Sequence, residues 1–499
     1  MSDSEITRRD VLRAAGATMA AAGFAAIGGG AADGADAPGG AATKPAPMMG
    51  IQMAVGPLLA NDISPLLADM RQRAGVNALF PFIYTHLASQ SGLRAGAFRG
   101  GNFAMPHMQY YKGTNLTFQD MRAPEAGNVD VLQHAIDAGN KIGTKVFAWV
   151  LEDNARVALA NWQGFYEVDF HGRRRDTHPS GPCYNNPGYR GYVLGLAEDY
   201  TRSYDIGGYM WSSERQGGLF NALGAYHHGA TADPGGATCF CDYCIKKGKD
   251  RGIDVDRARR GFTELEAYVR AGRSRQRPRD GAFVGFFRLL LKYPELLAWE
   301  SLWIDSRADL QKTMYQLIKS IKPAIPVGWH IWHNVSFSPF HRAEMDYAAM
   351  ASYSDFIKPV LYNNCAGERI KSFTDSVCQN VFADVPPAEA LPIFYEMLNY
   401  QEAPYDRVLA AGLSADYVAR ETRRTLDDGG AGRVAVWPGI DIDVPVPAGA
   451  GRCTAQSVKA AVVAAFKAAA PGVILCRNYS EMDPQHLAGA GDALKELGL

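Results

Sequence analysis

Eight short β-rich runs alternate with amphipathic helical patterns from residue 50 to the end of the chain. That alternation restricts it to a parallel α/β architecture. The runs are 50–54, 77–82, 145–150, 207–211, 327–332, 357–362, 433–437 and 472–477. Helical periodicity fills 64–73, 129–142, 192–204, 306–321, 415–426, 455–470 and 486–497. Eight strand–helix units predict a (β/α)8 TIM barrel, whose core takes about 250 residues. The remainder is expected in long βα-loop insertions, chiefly 86–128, 152–190 and 215–302. All three leave the C-terminal ends of strands, the face on which barrel enzymes build their sites.

One segment tests the count. Around 391–398 the apolar residues Ala390, Leu391, Phe394, Met397 and Leu398 follow helical spacing, and Pro392 argues against a central strand. Read as a helix, the segment leaves 433–437 as the seventh strand. Read as a strand, it would offer Glu396 at a strand tip.

Cysteine spacing gives the strongest local signal. Cys239, Cys241 and Cys244 form a C-x-C-x-x-C run, and Cys183 lies upstream. Four thiolates satisfy a tetrahedral zinc ion with no position left for water, so Zn2+ is expected as a structural cofactor that staples the loops after strands three and four. Cys365, Cys378, Cys453 and Cys476 show no metal spacing and read as buried thiols or one disulfide, with Cys476 inside an apolar run.

The N-terminal end reads as a targeting segment. Arg8 and Arg9 form a twin-arginine opening, followed by an Ala/Gly-rich, weakly apolar stretch. This predicts a Tat signal peptide over 1–37, a disordered lead-in over 38–47 and a barrel domain over 48–499, with a periplasmic or secreted location. No later segment is apolar enough to span a membrane. A net charge of −1 without a basic run excludes nucleic acid as an expected partner.

Polar and aromatic residues recur at the predicted strand tips: Glu152, Trp211 with Glu214 and Arg215, His330 with Trp332, Tyr362 with Asn363, Trp437 with Asp441 and Asp443, and Arg477 with Glu481. Five of the eight tryptophans (Trp149, Trp211, Trp329, Trp332 and Trp437) lie near this rim. Flat aromatic faces stack on sugar rings, while Asn, His and Arg bind hydroxyls, so a carbohydrate partner is expected.

Glycosidic cleavage uses two carboxyl groups, about 5–5.5 Å apart in retaining enzymes and about 6.5–9.5 Å apart in inverting ones. Glu214 is the candidate acid, since desolvation beside Trp211 would raise its carboxyl toward the range of a proton donor. Asp441 is the candidate partner, with Asp443 and then Glu481 behind it. Glu152, Trp211, Arg215, His330, Trp332, Tyr362, Asn363, Trp437, Asp443, Arg477 and Glu481 are expected to line the substrate cleft. His330 and His333 would fall on opposite faces of a strand and so could not share one metal ion without a bend.

The run Arg173-Arg174-Arg175…His178…Cys183…Asn185-Asn186-Pro187, then a strand ending in Glu214, then Cys239, Cys241 and Cys244, resembles family 42 glycoside hydrolases. The whole is similar to Tat-exported glycoside-hydrolase-like barrels of bacteria. The resemblance implies Glu214 as acid/base and the four cysteines as zinc ligands. Three departures bear on it: Ser213 stands where the clan has Asn, strand seven offers Asp where the clan's nucleophile is Glu, and the accessory domains of the family are not expected after the eighth helix.

The expectation is thus an exported glycoside hydrolase acting on an oligosaccharide or glycoconjugate. A non-catalytic carbohydrate-binding barrel would keep the cleft without the second carboxylate. A metal-dependent hydrolase or lyase would use His330, Glu152 and their neighbours.

Overall fold

The computed structural model describes residues 46–499 apart from 86–91, 94–98, 153–162, 176–180 and 431. The signal expected over 1–37 and the lead-in up to residue 45 lie outside the described residues. Ten strands are formed among the described residues: β1 (Met48–Met53), β2 (Ala78–Thr85), β3 (Gly101–Asn102), β4 (Lys145–Glu152), β5 (Gly208–Ser213), β6 (Val327–Ile331), β7 (Phe356–Pro359), β8 (Ala435–Val436), β9 (Gly439–Asp441) and β10 (Gly472–Cys476). Short β3 pairs antiparallel with the end of β2 and belongs to the loop that follows it.

The others are parallel, in the order β8-β7-β6-β5-β4-β2-β1-β10-β9. β8 and β9 are two pieces of one stave, interrupted at Trp437-Pro438, where proline has no N–H to give the ladder. The ring closes at this interruption. β8 pairs with β7, while β9 pairs with β10 and touches the end of β7 through a Val360–Gly439 bridge. Eight staves make the expected TIM-type barrel.

Segment 391–398 lies within helix Pro387–Leu398, so the seventh stave falls where the spacing put it and Glu396 sits on a helix. Caps set the helix limits. Asp130 accepts from the backbone of Gln133 at the start of Val131–Ile142, and left-handed Gly143 ends it. Asn186 does the same for Pro187–Ser203, which opens on proline. The largest departure is helix Glu295–Ile321, whose 27 residues begin well before the expected 306. Its first turns pack over the insertion that follows β5, with Trp299 stacked on Phe240 at 4.4 Å.

The lumen is layered. Phe80 stacks on Phe147 at 4.5 Å and Phe356 on Trp437 at 4.3 Å, which fills the lower barrel. Above them Ser212, His330 and Lys358 are in-register neighbours on β5, β6 and β7. Because side chains alternate along a strand, the same inward face of the chain leaving β5 carries Met210, Ser212 and then Glu214. No helix among the described residues is long and apolar enough to cross a membrane.

Candidate active site

Glu214 stands one residue past β5 at the C-terminal mouth of the barrel, its side chain 41 % exposed. His330 holds it from the next stave: Nε2 donates to Glu214 Oε1 at 2.9 Å. Lys358 Nζ in turn donates to His330 Nδ1 at 3.2 Å, which fixes the neutral Nε2–H tautomer of the imidazole. Trp149 stacks on His330 with ring centres 5.8 Å apart and sets its plane.

Lys358 reaches this position because its neighbour is glycine. A Cβ on Gly439 would lie 2.5 Å from Lys358 Cε and 2.7 Å from Nζ. Tyr362 Oη lies 3.5 Å from Lys358 Nζ and 3.5 Å from the Gln52 carbonyl. The Gln52 Nε2 is buried with no partner among the described residues, a free donor in the polar layer beneath the mouth.

Charge follows from this packing. Partial desolvation at the mouth would raise the Glu214 carboxyl, but the His330 hydrogen bond and the positive charges of Arg369 and Lys358 overcome it and hold it at about 2. Burial and the Lys358 charge push His330 down to about 4, against the pull of Glu214. Burial also lowers Lys358. At neutral pH the site is an exposed carboxylate braced by a neutral imidazole with an ammonium behind it. This differs from the raised carboxyl expected of a resting proton donor. The sequence offers Trp211 as desolvating neighbour, whereas the folded chain supplies three cationic or hydrogen-donating groups.

Asp441 ends β9 and is 1 % exposed. Its Oδ1 accepts from the backbone N–H and side-chain amide of Asn364, and its Oδ2 from the backbone N–H of Cys365. It therefore caps helix Asn363–Val377 from another stave, at a terminus that lacks a side-chain cap of its own. Burial raises its carboxyl, with these donors pulling it down. The expected partner to Glu214 is turned into a helix end, away from solvent.

Asp443 also has local partners: both oxygens lie within 3.0 Å of His486 Nδ1, and Oδ2 accepts from the Asp483 N–H. Glu481 is paired with Arg477 at 2.9 and 3.0 Å.

Glu152 and Arg215, expected at the substrate, lie below the surface. Arg215 is 1 % exposed, bonds Glu152 at 2.9 Å and lies over the Tyr184 ring. Tyr184 and Tyr189 donate to the two oxygens of Glu152. Gly181 leaves room for the guanidinium, since a Cβ there would clash with Arg215 Nη1. The pair joins the end of β4 to the chain leaving β5, and Arg215 reaches the loop after β4 through the Pro182 carbonyl at 2.9 Å.

The five rim tryptophans are packing groups. Trp149, Trp211, Trp329, Trp332 and Trp437 are all buried, with Trp211 edge-on to Trp329 and Trp332 beside Tyr226. Their clustering near strand ends marked buried core positions, from Trp437 on Phe356 in the lower barrel to Trp332 beside Tyr226, rather than exposed stacking platforms. Tyr362 and Asn363 are also buried, and Asn363 Nδ2 donates to Leu413 O at 3.4 Å. His333 lies beyond β6, with Arg369 donating to its Nδ1 at 2.8 Å.

Sequence reading missed Lys358, Arg369 and Gln52. Lys358 carried a signal, because a lysine inside an apolar strand is almost never buried without a partner.

Cys183, Cys239, Cys241 and Cys244 come together as expected. Their sulfurs all lie within 4.8 Å of one another, with Cys183 3.5 Å from Cys241 and 3.4 Å from Cys244. A disulfide needs about 2.05 Å, whereas sulfurs around a tetrahedral metal at about 2.3 Å stand about 3.8 Å apart. Asn185 adds two donors, its N–H to Cys183 and its side-chain amide to Cys244, the kind of N–H contact that steadies thiolates around a cation. The four-cysteine group thus fits a metal ion and links the loops after β4 and β5.

No family model matches the sequence, and no curated protein matches it either. Solved structures do resemble the fold. A β-galactosidase from the Antarctic haloarchaeon Halorubrum lacusprofundi superposes with a TM-score of 0.50 at 14 % identity, over 91 % of this chain and 58 % of its own. A cold-adapted β-galactosidase from Rahnella sp. R3 gives 0.49 at 12 % identity, over 91 % and 56 %. The α-L-fucosidase isoenzyme 2 from Paenibacillus thiaminolyticus gives 0.48 at 13 %, over 91 % and 49 %. The chain spans about half to three-fifths of these glycoside hydrolases, and at such identities the likeness is one of fold.

Proposed function

We propose that this chain is a glycoside hydrolase acting on an oligosaccharide or glycoconjugate, with Glu214 as the carboxylate that meets the sugar. The observation that carries this reading is the pairing of an exposed, ionised Glu214 with a buried His330 at the mouth of a TIM barrel. A carboxylate kept ionised beside the anomeric carbon stabilises the positive charge of an oxocarbenium-like transition state, attacks it, or activates water. The brace keeps Glu214 fixed, so no reorganisation is needed as charge develops.

A second reading is a carbohydrate-binding barrel without turnover. It is favoured by Asp441, whose oxygens are engaged in capping a helix rather than facing Glu214. Screening the purified protein against aryl glycosides and oligosaccharides separates the two. Turnover that Glu214→Gln abolishes supports the hydrolase, and saturable sugar binding without turnover supports the binding barrel.

We assign Zn2+ to the four cysteines in a structural role, because four thiolates close the coordination sphere. We also infer export through the twin-arginine pathway. Replacing Arg8 and Arg9 together by lysine should leave the protein in the cytoplasm of a Tat-competent host, and continued export of that variant would refute the route.

A further inference from the structure

We propose that Asp443, Cys453 and His486 form a second metal site, for a zinc-like divalent cation with one coordination position open. The three residues come from separate segments. Asp443 lies just past β9, Cys453 precedes helix Ala455–Lys467, and His486 sits in the first turn of helix Pro484–Leu497. One ligand atom from each lies within 4.8 Å of the others. Oxygen, nitrogen and sulfur bind zinc at about 2.0–2.3 Å, so an ion seated between them needs adjustments of only side-chain size.

Several observations beyond proximity point to a ligand. Asp443 has a φ of 53°, one of four described non-glycine residues in the left-handed region, and such backbone conformations gather at functional sites. The Asp483 N–H donates to Asp443 Oδ2 at 2.8 Å, and Asp483 also caps the helix that carries His486, so one residue orients two of the ligands. The Cys453 sulfur is buried, and its contacts to the carbonyls of Asp441 and Thr454 at 3.8 Å and to the Ser457 hydroxyl at 4.0 Å are all long.

The triad also lines a cavity of about 320 Å3, walled by Val444, Pro445, Val446 and Arg452. Three protein ligands beside open space is the pattern of a metal with an exchangeable water, unlike the closed four-thiolate group. Arg452 on the same wall suits an anionic exchangeable ligand. In ring order the triad belongs to the last two staves and the cysteine group to the loops after β4 and β5, so the two sites are separate. This assignment does not depend on the glycosidase reading.

Equilibrium dialysis of the full chain against Zn2+, with metal counted by mass spectrometry, tests it. Wild-type protein should hold one equivalent more than His486→Ala, and Asp443→Asn should show the same loss. Cys241→Ser should lower the count through the other site and leave this difference in place. With Co2+, the wild-type spectrum should contain a mixed nitrogen–oxygen–thiolate component that Cys453→Ser removes. Equal metal content in wild type, His486→Ala and Asp443→Asn would overturn the proposal. Should His486→Ala fail to fold, Asp443→Asn and the cobalt spectrum decide it.

Discussion

His330 donates to Glu214 across a solvent boundary: the imidazole is 3 % exposed and the carboxylate 41 %, and 2.9 Å separates them. Burial keeps the imidazole neutral, and the neutral imidazole with its lysine keeps the carboxylate charged. The pH behaviour of the site follows from that division.

Activity should be flat through the neutral range and fall on the acid side. As pH drops through about 4, His330 takes a proton, and through about 2 Glu214 does. Stability has its own signs. The depressed Glu214 contributes stability that is present above the ordinary carboxylate range and lost as pH falls toward 2. The depressed His330 costs stability as pH falls from 6.5 to 4, where the unfolded chain is protonated and the folded one is not. Denaturation series at pH 4 and 7 on wild type and His330→Gln check this: the variant should lose part of the slope.

Gly439→Ala should act at a distance through Lys358. The added Cβ falls within 2.7 Å of the ammonium and displaces it. Without that charge the His330 value rises, so the acid limb moves to higher pH, and kcat should drop about tenfold while KM changes little. An unshifted acid limb in a folded variant would argue that Lys358 does not act on His330.

Glu214→Gln should abolish turnover of any glycoside the wild type cleaves, by about a thousandfold or more for loss of a reacting carboxylate. The fold and metal content should be retained, with loss only of the stability that the ionised Glu214 contributes above the carboxylate range. Circular dichroism beside kinetics reads both.

Asp441→Ala should cost about 1–3 kcal/mol of stability, because it strips the acceptors from a buried helix N-terminus. Azide should not restore activity if the residue acts only as a cap. Azide rescue with formation of a glycosyl azide would return Asp441 to the chemistry.

Cys241→Ser should lower metal content and melting temperature together, since an ion held by the four cysteines would join the loops after β4 and β5. A chelator should reproduce the shift in wild-type protein. Full metal with unchanged melting would refute a structural ion.

Periodicity carried the barrel. Eight apolar runs separated by amphipathic helices admit few parallel α/β arrangements, and even the ambiguous 391–398 resolved as a helix because its apolar spacing is a local property. The cysteine group was legible for a related reason, as three of its members lie on one short loop. What remained hidden depended on which atoms meet across the ring. Trp211 and Trp437 occupy strand ends, yet Trp211 packs edge-on to Trp329 and beside Tyr184, and Trp437 stacks on Phe356 inside the barrel, so their exposure is decided by segments far away in sequence. Asp441 has the right residue type and position, but the N-terminus of helix Asn363–Val377 arrives beside it and claims its oxygens. The place of Glu214 at the barrel mouth was legible from its strand, whereas its charge state was not, because His330 and Lys358 come from other staves and Arg369 from helix Asn363–Val377. Local pattern fixes where a side chain stands along its own element. Its partners, and therefore its pKa and chemistry, are set only when the barrel closes and brings distant strands within hydrogen-bonding range.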